Sequence, residues 1–259
     1  MNYIIYDLEF NQKNNIFAEV DSSSTESDSN ITETEINKTT MPFEIIQIGA
    51  LKLNENFKTI STFNTLIKPT VYKYIHPFVE NLTKITDDMV ASCKYFVNVY
   101  EDFLQFVGDD DFILCVWGMA DIKELIRNVK FYNLPTSHIS KYIDIQKYAS
   151  HYLKAPKKSR IGLKNAIDLL NITIEGEFHD AYNDAYYTAE VFKIIHDNTI
   201  NPMIYTPSPP RRVSTPKEKI NIPSLIKEFE KIYNREMSEE EKSMIKLAYM
   251  MGKTRQFIL

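Results

Sequence analysis

Cysteine is nearly absent. The 259-residue chain has two, Cys93 and Cys115, each in an apolar or mixed stretch with no CxxC or Cys/His spacing. That argues against a disulfide framework or a zinc site and for free thiols in a reducing compartment. Long apolar runs are missing as well. No stretch approaches the roughly 20 apolar residues of a membrane span. The apolar start MNYIIY is broken by Asp7 and Glu9 before a signal-peptide core could form. The expectation is a cytoplasmic protein with no membrane contact. There is no positive excess either: the net charge is −5, which does not advertise a nucleic-acid binder. No repeat is evident.

The remaining composition is that of a soluble globular protein, 44% apolar and 25% charged. The length suits one medium domain plus a small appendage. Charge is distributed unevenly: residues 201–259 carry 11 Lys/Arg and 7 Asp/Glu, whereas residues 1–200 carry 19 and 28. Acids gathered at a metal site would contribute to that excess, and bound cations would make it tolerable.

Residues 2–10 (NYIIYDLEF), 43–53, 57–68 and 112–118 read as strands, the first and last of them buried. Residues 96–107, 120–132, 162–172 and 180–198 read as helices, and 142–148 as a short strand or a helix start. Apolar residues at 96, 99, 103, 104 and 107 carry the helical period of the first of these. Strands alternating with helices predict an α/β domain over 1–198. A polar stretch at 11–41, with six acids against two lysines, reads as a surface insertion. A linker at 199–221 follows, with five prolines in residues 201–216. Residues 222–259 read as a helical hairpin of unknown role. One helix carries the stripe Leu225, Ile226, Phe229, Ile232 and Tyr233, and Ser238 with Glu241 forms a capping box at the start of the other. Docking on the main domain, a protein partner or nucleic acid is expected of it.

Three acidic signals stand out. Asp7 and Glu9, two apart on a strand, point to one face. Two acids buried together need a cation to neutralise them; two acids at a strand end emerging into water do not. Asp121 follows the 112–118 strand and opens a helix, where open α/β sheets place ligands, or where a plain first-turn acid meets the helix dipole. His179 and Asp184 lie five apart, about 140° on a regular helix. They converge only if His179 sits in the loop before the helix, with Asp180 as its cap. Asp180 and Asp184, four apart, are an alternative pair. Ala181, Ala185 and Ala189 form a small-residue stripe that would let this helix approach the sheet closely.

The order and spacing of Asp7, Glu9, Asp121, His179 and Asp184 resemble the DEDDh (DnaQ-like) 3′–5′ exonucleases of the RNase H-like superfamily. FEIIQIGALKL (43–53) is similar to that family's second strand, LTKIT (82–86) to its LTGIT segment, and RIGLKNAIDLLNI (160–172) to the helix before the histidine. WGMAD and the GLKNAIDLL helix look most like the KapD-type and RNA-trimming subgroup. The resemblance covers 1–197 and departs from the family at the 11–41 insertion and at Lys84, where glycine is frequent.

The resemblance implies a mixed five-stranded sheet flanked by helices. It also implies two Mg²⁺ ions, replaceable by Mn²⁺, held by Asp7, Glu9, Asp121 and Asp184, with Asp7 bridging. Magnesium prefers oxygen donors, which suits this set. His179 is then a general base rather than a ligand. Leu8, Phe10 and Met119 are the candidate contacts for the terminal nucleotide of a single-stranded RNA or DNA 3′ end, RNA being favoured. Trp117 reads as core. Lys157, Lys158, Arg160 and Lys164 are either a phosphate track or a solvated face. A catalytically idle nucleic-acid- or protein-binding module of the same fold is the alternative.

Overall fold

The computed structural model describes residues 1–13, 41–156, 159–206 and 221–253. Most of the 11–41 insertion, together with Lys157 and Lys158, lies outside the described residues. The chain divides into two compact units, 1–206 and 207–259.

The first unit is organised around β1 (Asn2–Gln12). Its aromatic and β-branched residues alternate between two buried faces, as a central strand requires. Ile4, Tyr6 and Leu8 enter one core layer, Tyr3 and Ile5 the other. Strand β2 (Phe43–Leu53) pairs antiparallel with β1, placing Gly49 opposite Asp7 and Gln47 opposite Glu9. Strand β3 (Thr59–Leu66) flanks β2. On the other side β4 (Phe112–Val116) runs parallel to β1 and pairs only with Asn2–Ile5. Asp7 and Glu9 therefore project past the point where β4 ends, at the carboxyl edge of two parallel strands.

Strand β5 (Lys141–Asp144) continues the sheet parallel to β4, and β6 (Met203–Ile204) closes it antiparallel. The order is β3-β2-β1-β4-β5-β6, six strands rather than the expected five. The extra strand lies in the segment read as linker. It is an edge strand of two residues, flanked by Pro202 and Pro207, and so short an element has no periodicity to read.

The LTKIT segment runs from the last turn of the short helix α1 (Pro77–Thr83) to Thr86, the N-cap of the short helix α2 (Asp87–Ala91). Helices α3 (Phe96–Val107) and α4 (Ala120–Phe131) cover the face bearing Ile4, Tyr6 and Leu8. Tyr100 rather than Leu104 is fully inside α3. Helices α5 (Ile145–Tyr152), α6 (Leu163–Leu170) and α7 (Ala181–Ile195) cover the other face. Residues 142–148 are thus a strand end and a helix start, joined at Asp144, whose carboxylate caps α5 by accepting the Lys147 N–H at 3.1 Å.

In the second unit α8 (Ile222–Tyr233) is capped by Asn221, and α9 (Glu239–Lys253) begins with the expected box. The Glu241 N–H donates to Ser238 Oγ at 3.2 Å, and the Ser238 N–H to Glu241 Oε2 at 2.9 Å. Among the described residues no helix is long and apolar enough to cross a membrane.

Candidate active site

Asp7 and Glu9 continue the face of β1 that Tyr3 and Ile5 bury, so the sheet's second core layer ends in two carboxylates. The pairing of β1 with β2 shifts register just after Glu9, where β2 carries Ile46 as an extra residue, and Phe10 keeps the face of Tyr6 and Leu8. Glu9 is buried.

Asp121 reaches the same place from the neighbouring strand. After β4 the chain turns through Gly118 at φ +94°, a conformation that suits glycine. Helix α4 then begins, with Met119 at its N-cap and Asp121 in its first turn. Asp121 is not the cap. It is 6% exposed, and a hydrogen bond from its own N–H favours the charged carboxylate. Helix N-terminal polarity favours a negative charge there.

His179 and Asp184 come from the far side of β2. His179 lies in the loop before α7, at φ +65°, where a non-glycine residue is uncommon. Its N–H donates to Asp184 Oδ2 at 3.2 Å. Asp180 caps α7, accepting the Asn183 N–H at 3.0 Å and a hydrogen bond from Gln47 Nε2 at 2.9 Å. Asp180 is thereby committed to structure, and Asp184 is left for the site. Gln47 also accepts the Ala181 N–H at 3.1 Å, so β2 holds the first turn of α7 directly above Glu9. The alanine stripe does bring this helix onto the sheet, with Ala181, Ala185 and Ala189 all fully buried. Ligand atoms of Glu9, His179 and Asp184 lie within 4.8 Å of one another.

Burial and mutual repulsion dominate the electrostatics. Burial pushes Glu9 up to about 9, helped by Asp184, Asp121 and Asp180. Asp7 is raised well above the carboxylate range by burial, then by Asp121, Asp184 and Glu9, against a hydrogen bond from the Leu8 N–H. Asp121 stands at about 7, chiefly from burial, with Asp184 and Glu124 adding to it. Asp184 stands at about 6, again from burial, opposed by the His179 N–H. Four acids that raise one another cannot all ionise unless a cation joins them.

Elsewhere a buried acid is satisfied by the chain itself. Glu44 accepts the N–H groups of Thr70, Val71 and Tyr72 at 2.5–2.9 Å. Asp184 Oδ1 by contrast is buried with no partner. An oxygen-only set of four carboxylates with an orphaned oxygen fits a hard divalent ion.

The candidate nucleotide contacts divide. Leu8 is 3% exposed and its side chain lies in the core, so only its main chain can meet a ligand. Phe10 is partly buried, against Phe43 at 6.2 Å, and Met119 is partly buried at the α4 cap. Trp117 packs on the second core layer. A cavity of about 520 Å³ shares Gln47 and Asp180 with the site and is lined further by Asn64, Thr83, Lys84 and Asn183. Of the basic cluster, Arg160 is tied to Asp144 at 3.2 Å and Lys164 is exposed.

Sequence reasoning missed Gln47 and Gly49. The visible signal was one polar residue and one glycine in an otherwise apolar strand, directly across from the D-x-E pair.

The model of the exonuclease family, RNase T, matches residues 4–192. The 3′–5′ exonuclease DinG of Staphylococcus saprophyticus is 37% identical over 70 residues, 27% of this chain and 7% of that protein. The match thus spans a small fraction of a far longer relative. Among solved structures, the nuclease domain of 3′hExo, a DEDDh family member bound to rAMP, superimposes with a TM-score of 0.61 at 20% identity. It covers 79% of this chain and 96% of that one. A 3′-exonuclease recognising the 3′ end of a histone mRNA stem-loop gives 0.59 at 18% identity, covering 81% and 72%. At such identities the likeness establishes the fold.

Proposed function

The chain belongs to the exonuclease (RNase T) family, and from there we propose that it hydrolyses single-stranded nucleic acid stepwise from the 3′ end. In this reading it releases 5′-mononucleotides by a two-metal-ion mechanism and prefers RNA to DNA. The observation that carries the proposal is the convergence of Asp7, Glu9, Asp121 and Asp184 into one cluster, Glu9 and Asp121 buried and the other two half-buried, with His179 at its rim.

Asp7, Glu9, Asp121 and Asp184 would hold the ions, since burial and mutual repulsion leave these carboxylates in need of cations. Two Mg²⁺ or Mn²⁺ ions, when bound, neutralise the cluster, acidify a bound water and stabilise the leaving oxygen. The His179 imidazole takes the proton of the attacking water. As the new O–P bond forms, the bond from phosphorus to the preceding nucleotide's 3′ oxygen breaks, and that oxygen takes a proton from solvent to become the new 3′ hydroxyl. Exposure of His179 suits this task, since the proton must pass on to solvent. The main chain at Leu8 and the side chains of Phe10 and Met119 flank the place of the terminal nucleoside. The RNA preference draws its support from the likeness of WGMAD and GLKNAIDLL to RNA-trimming members, and from the RNA ligands of the two structural neighbours.

The test is a degradation assay on matched 5′-labelled RNA and DNA strands, with Mg²⁺ or with chelator. A ladder shortening by single nucleotides, faster on RNA and abolished by chelator, is expected. Binding of both strands with no shortening under any divalent ion would instead identify an idle binding module.

A further inference from the structure

The loop that presents His179 is held by one stripe of α7. Asn183, Asp184 and Tyr187 stand three, four and seven residues after the cap Asp180, so they share a helix face. Each holds a different point of residues 175–179. The Tyr187 hydroxyl accepts the Gly176 N–H at 2.7 Å and the Glu175 N–H at 3.1 Å, and donates to the Gly176 carbonyl at 2.6 Å. That uses both acceptor sites and the single donor of a hydroxyl. Asn183 Nδ2 donates to the Glu177 carbonyl at 3.0 Å, and Asp184 takes the His179 N–H. The Phe178 ring packs on the Tyr187 ring with centroids 5.2 Å apart. Tyr187 is 1% exposed.

The loop ends in a backbone that a histidine adopts only when its surroundings hold it there. It contains no regular secondary structure, and Tyr187 supplies three of the five hydrogen bonds that fix it to α7. We propose that Tyr187 is a positioning residue: its hydroxyl pins the Glu175–Gly176 turn and so sets the place of the His179 imidazole against Glu9 and Asp184. This rests on reading His179 as the group that takes the proton from water.

Tyr187→Phe removes one oxygen and keeps the ring and its contact with Phe178. Its kcat is expected to fall about 10–100-fold, as small misplacements of a reacting group do, with KM unchanged. In a His179→Ala background the same substitution is expected to cost nothing further. Two readouts need no metal-loaded enzyme. In chelator, exchange of the Glu175 and Gly176 amides should accelerate while β1 and β2 stay protected. The ring resonances of His179, in histidine-labelled protein, should shift while those of His196 do not.

An unchanged kcat, an equal loss in the His179→Ala background, or an unmoved His179 resonance overturns the proposal. If the wild-type protein proves inactive on every strand, the exonuclease reading fails, while the resonance and exchange data still decide where Tyr187 holds the histidine. Should Tyr187→Phe not fold, Asn183→Ala releases the Glu177 tether instead. The same pattern is expected at smaller amplitude, and an unmoved resonance with unchanged kcat counts against the proposal.

Discussion

Gly49 and Ala181 meet so closely that a Cβ on Gly49 would lie 2.2 Å from the Ala181 carbonyl carbon and 2.1 Å from the Tyr182 nitrogen. Both obstacles are backbone, so neither can swing aside. Gly49 is also the cross-strand partner of Asp7, and helix α7 carries Asp184. Gly49→Ala is therefore expected to lift the first turn of α7 away from β1. A loss of about 1–3 kcal/mol in thermal melting should accompany it. The melting shift produced by Mn²⁺ should shrink as the acids part.

Glu9→Gln should act in opposite directions with and without cation. The glutamine matches the shape but removes the cost of keeping the carboxyl protonated, which burial and the charges of Asp184, Asp121 and Asp180 impose. In chelator the variant is expected to melt at or above the wild-type temperature. With Mg²⁺ or Mn²⁺ it should lose most of the cation-dependent rise, because one ligand has gone. Melting curves at pH 8 with and without cation check both halves. A variant destabilised equally in both conditions would mean that Glu9 is a packing residue.

The same acids set the pH dependence of the cation-free protein. In an unfolded chain they titrate near 3.8 for aspartate and 4.5 for glutamate, but in the fold Asp184, Asp121 and Glu9 stand at about 6, 7 and 9. Across that window the folded state binds more protons than the unfolded state. Unfolding then releases protons, and stability falls as pH rises. The melting temperature in chelator is expected to be highest near pH 5 and to decline towards pH 9. Excess Mg²⁺ should flatten the decline. Melting series at constant ionic strength measure it.

What the sequence made legible was what periodicity and residue type encode. Strand 43–53 and helix 96–107 were placed to the residue, because two buried faces and a 3.6-residue stripe leave clear patterns. Each acid at a strand end or helix start left a solvent-facing alternative open, and the convergence of the five residues was implied by the family resemblance that their order and spacing carry. Leu8 is the candidate contact whose side chain the rule of strand alternation excludes. The alternation that pairs Asp7 with Glu9 necessarily sends Leu8 to the opposite face, into the core. The tie from Gln47 to Asp180 depends on cross-strand register, and the Tyr187 latch on a loop folding back 11 residues. Neither leaves a local signature.

Lys84 departs from the family's glycine at a position with a physical reason for glycine. It is the C-cap of α1 with φ +63°, in the left-handed region. Its ammonium group donates to the Asn81 carbonyl at 2.6 Å, an exposed contact worth little in water. Lys84→Gly is therefore expected to stabilise the protein by a few tenths to about 1 kcal/mol, read as a rise in melting temperature. Lys84 also lines the cavity beside the site. If its charge meets the nucleic-acid backbone, KM for an oligonucleotide should rise in the same variant and become less sensitive to salt, with kcat unchanged.

His179 lies close enough to Glu9 and Asp184 to serve as a metal ligand, and the proposed role as a proton acceptor is separable from that. His179→Ala removes the imidazole but leaves the main-chain N–H that Asp184 accepts. A proton acceptor so lost should lower kcat by about 10²–10⁴-fold. The Mn²⁺-induced rise in melting temperature should persist, since four carboxylates remain. A ligand so lost should reduce that rise along with the rate. His179→Gln divides the cases further, because an amide can donate or accept a hydrogen bond at the site but cannot take a proton at neutral pH. Cation titrations followed by melting, run beside single-turnover rates on a 5′-labelled strand, distinguish the two roles. Retained cation response with lost turnover is the outcome expected of the proposed proton acceptor.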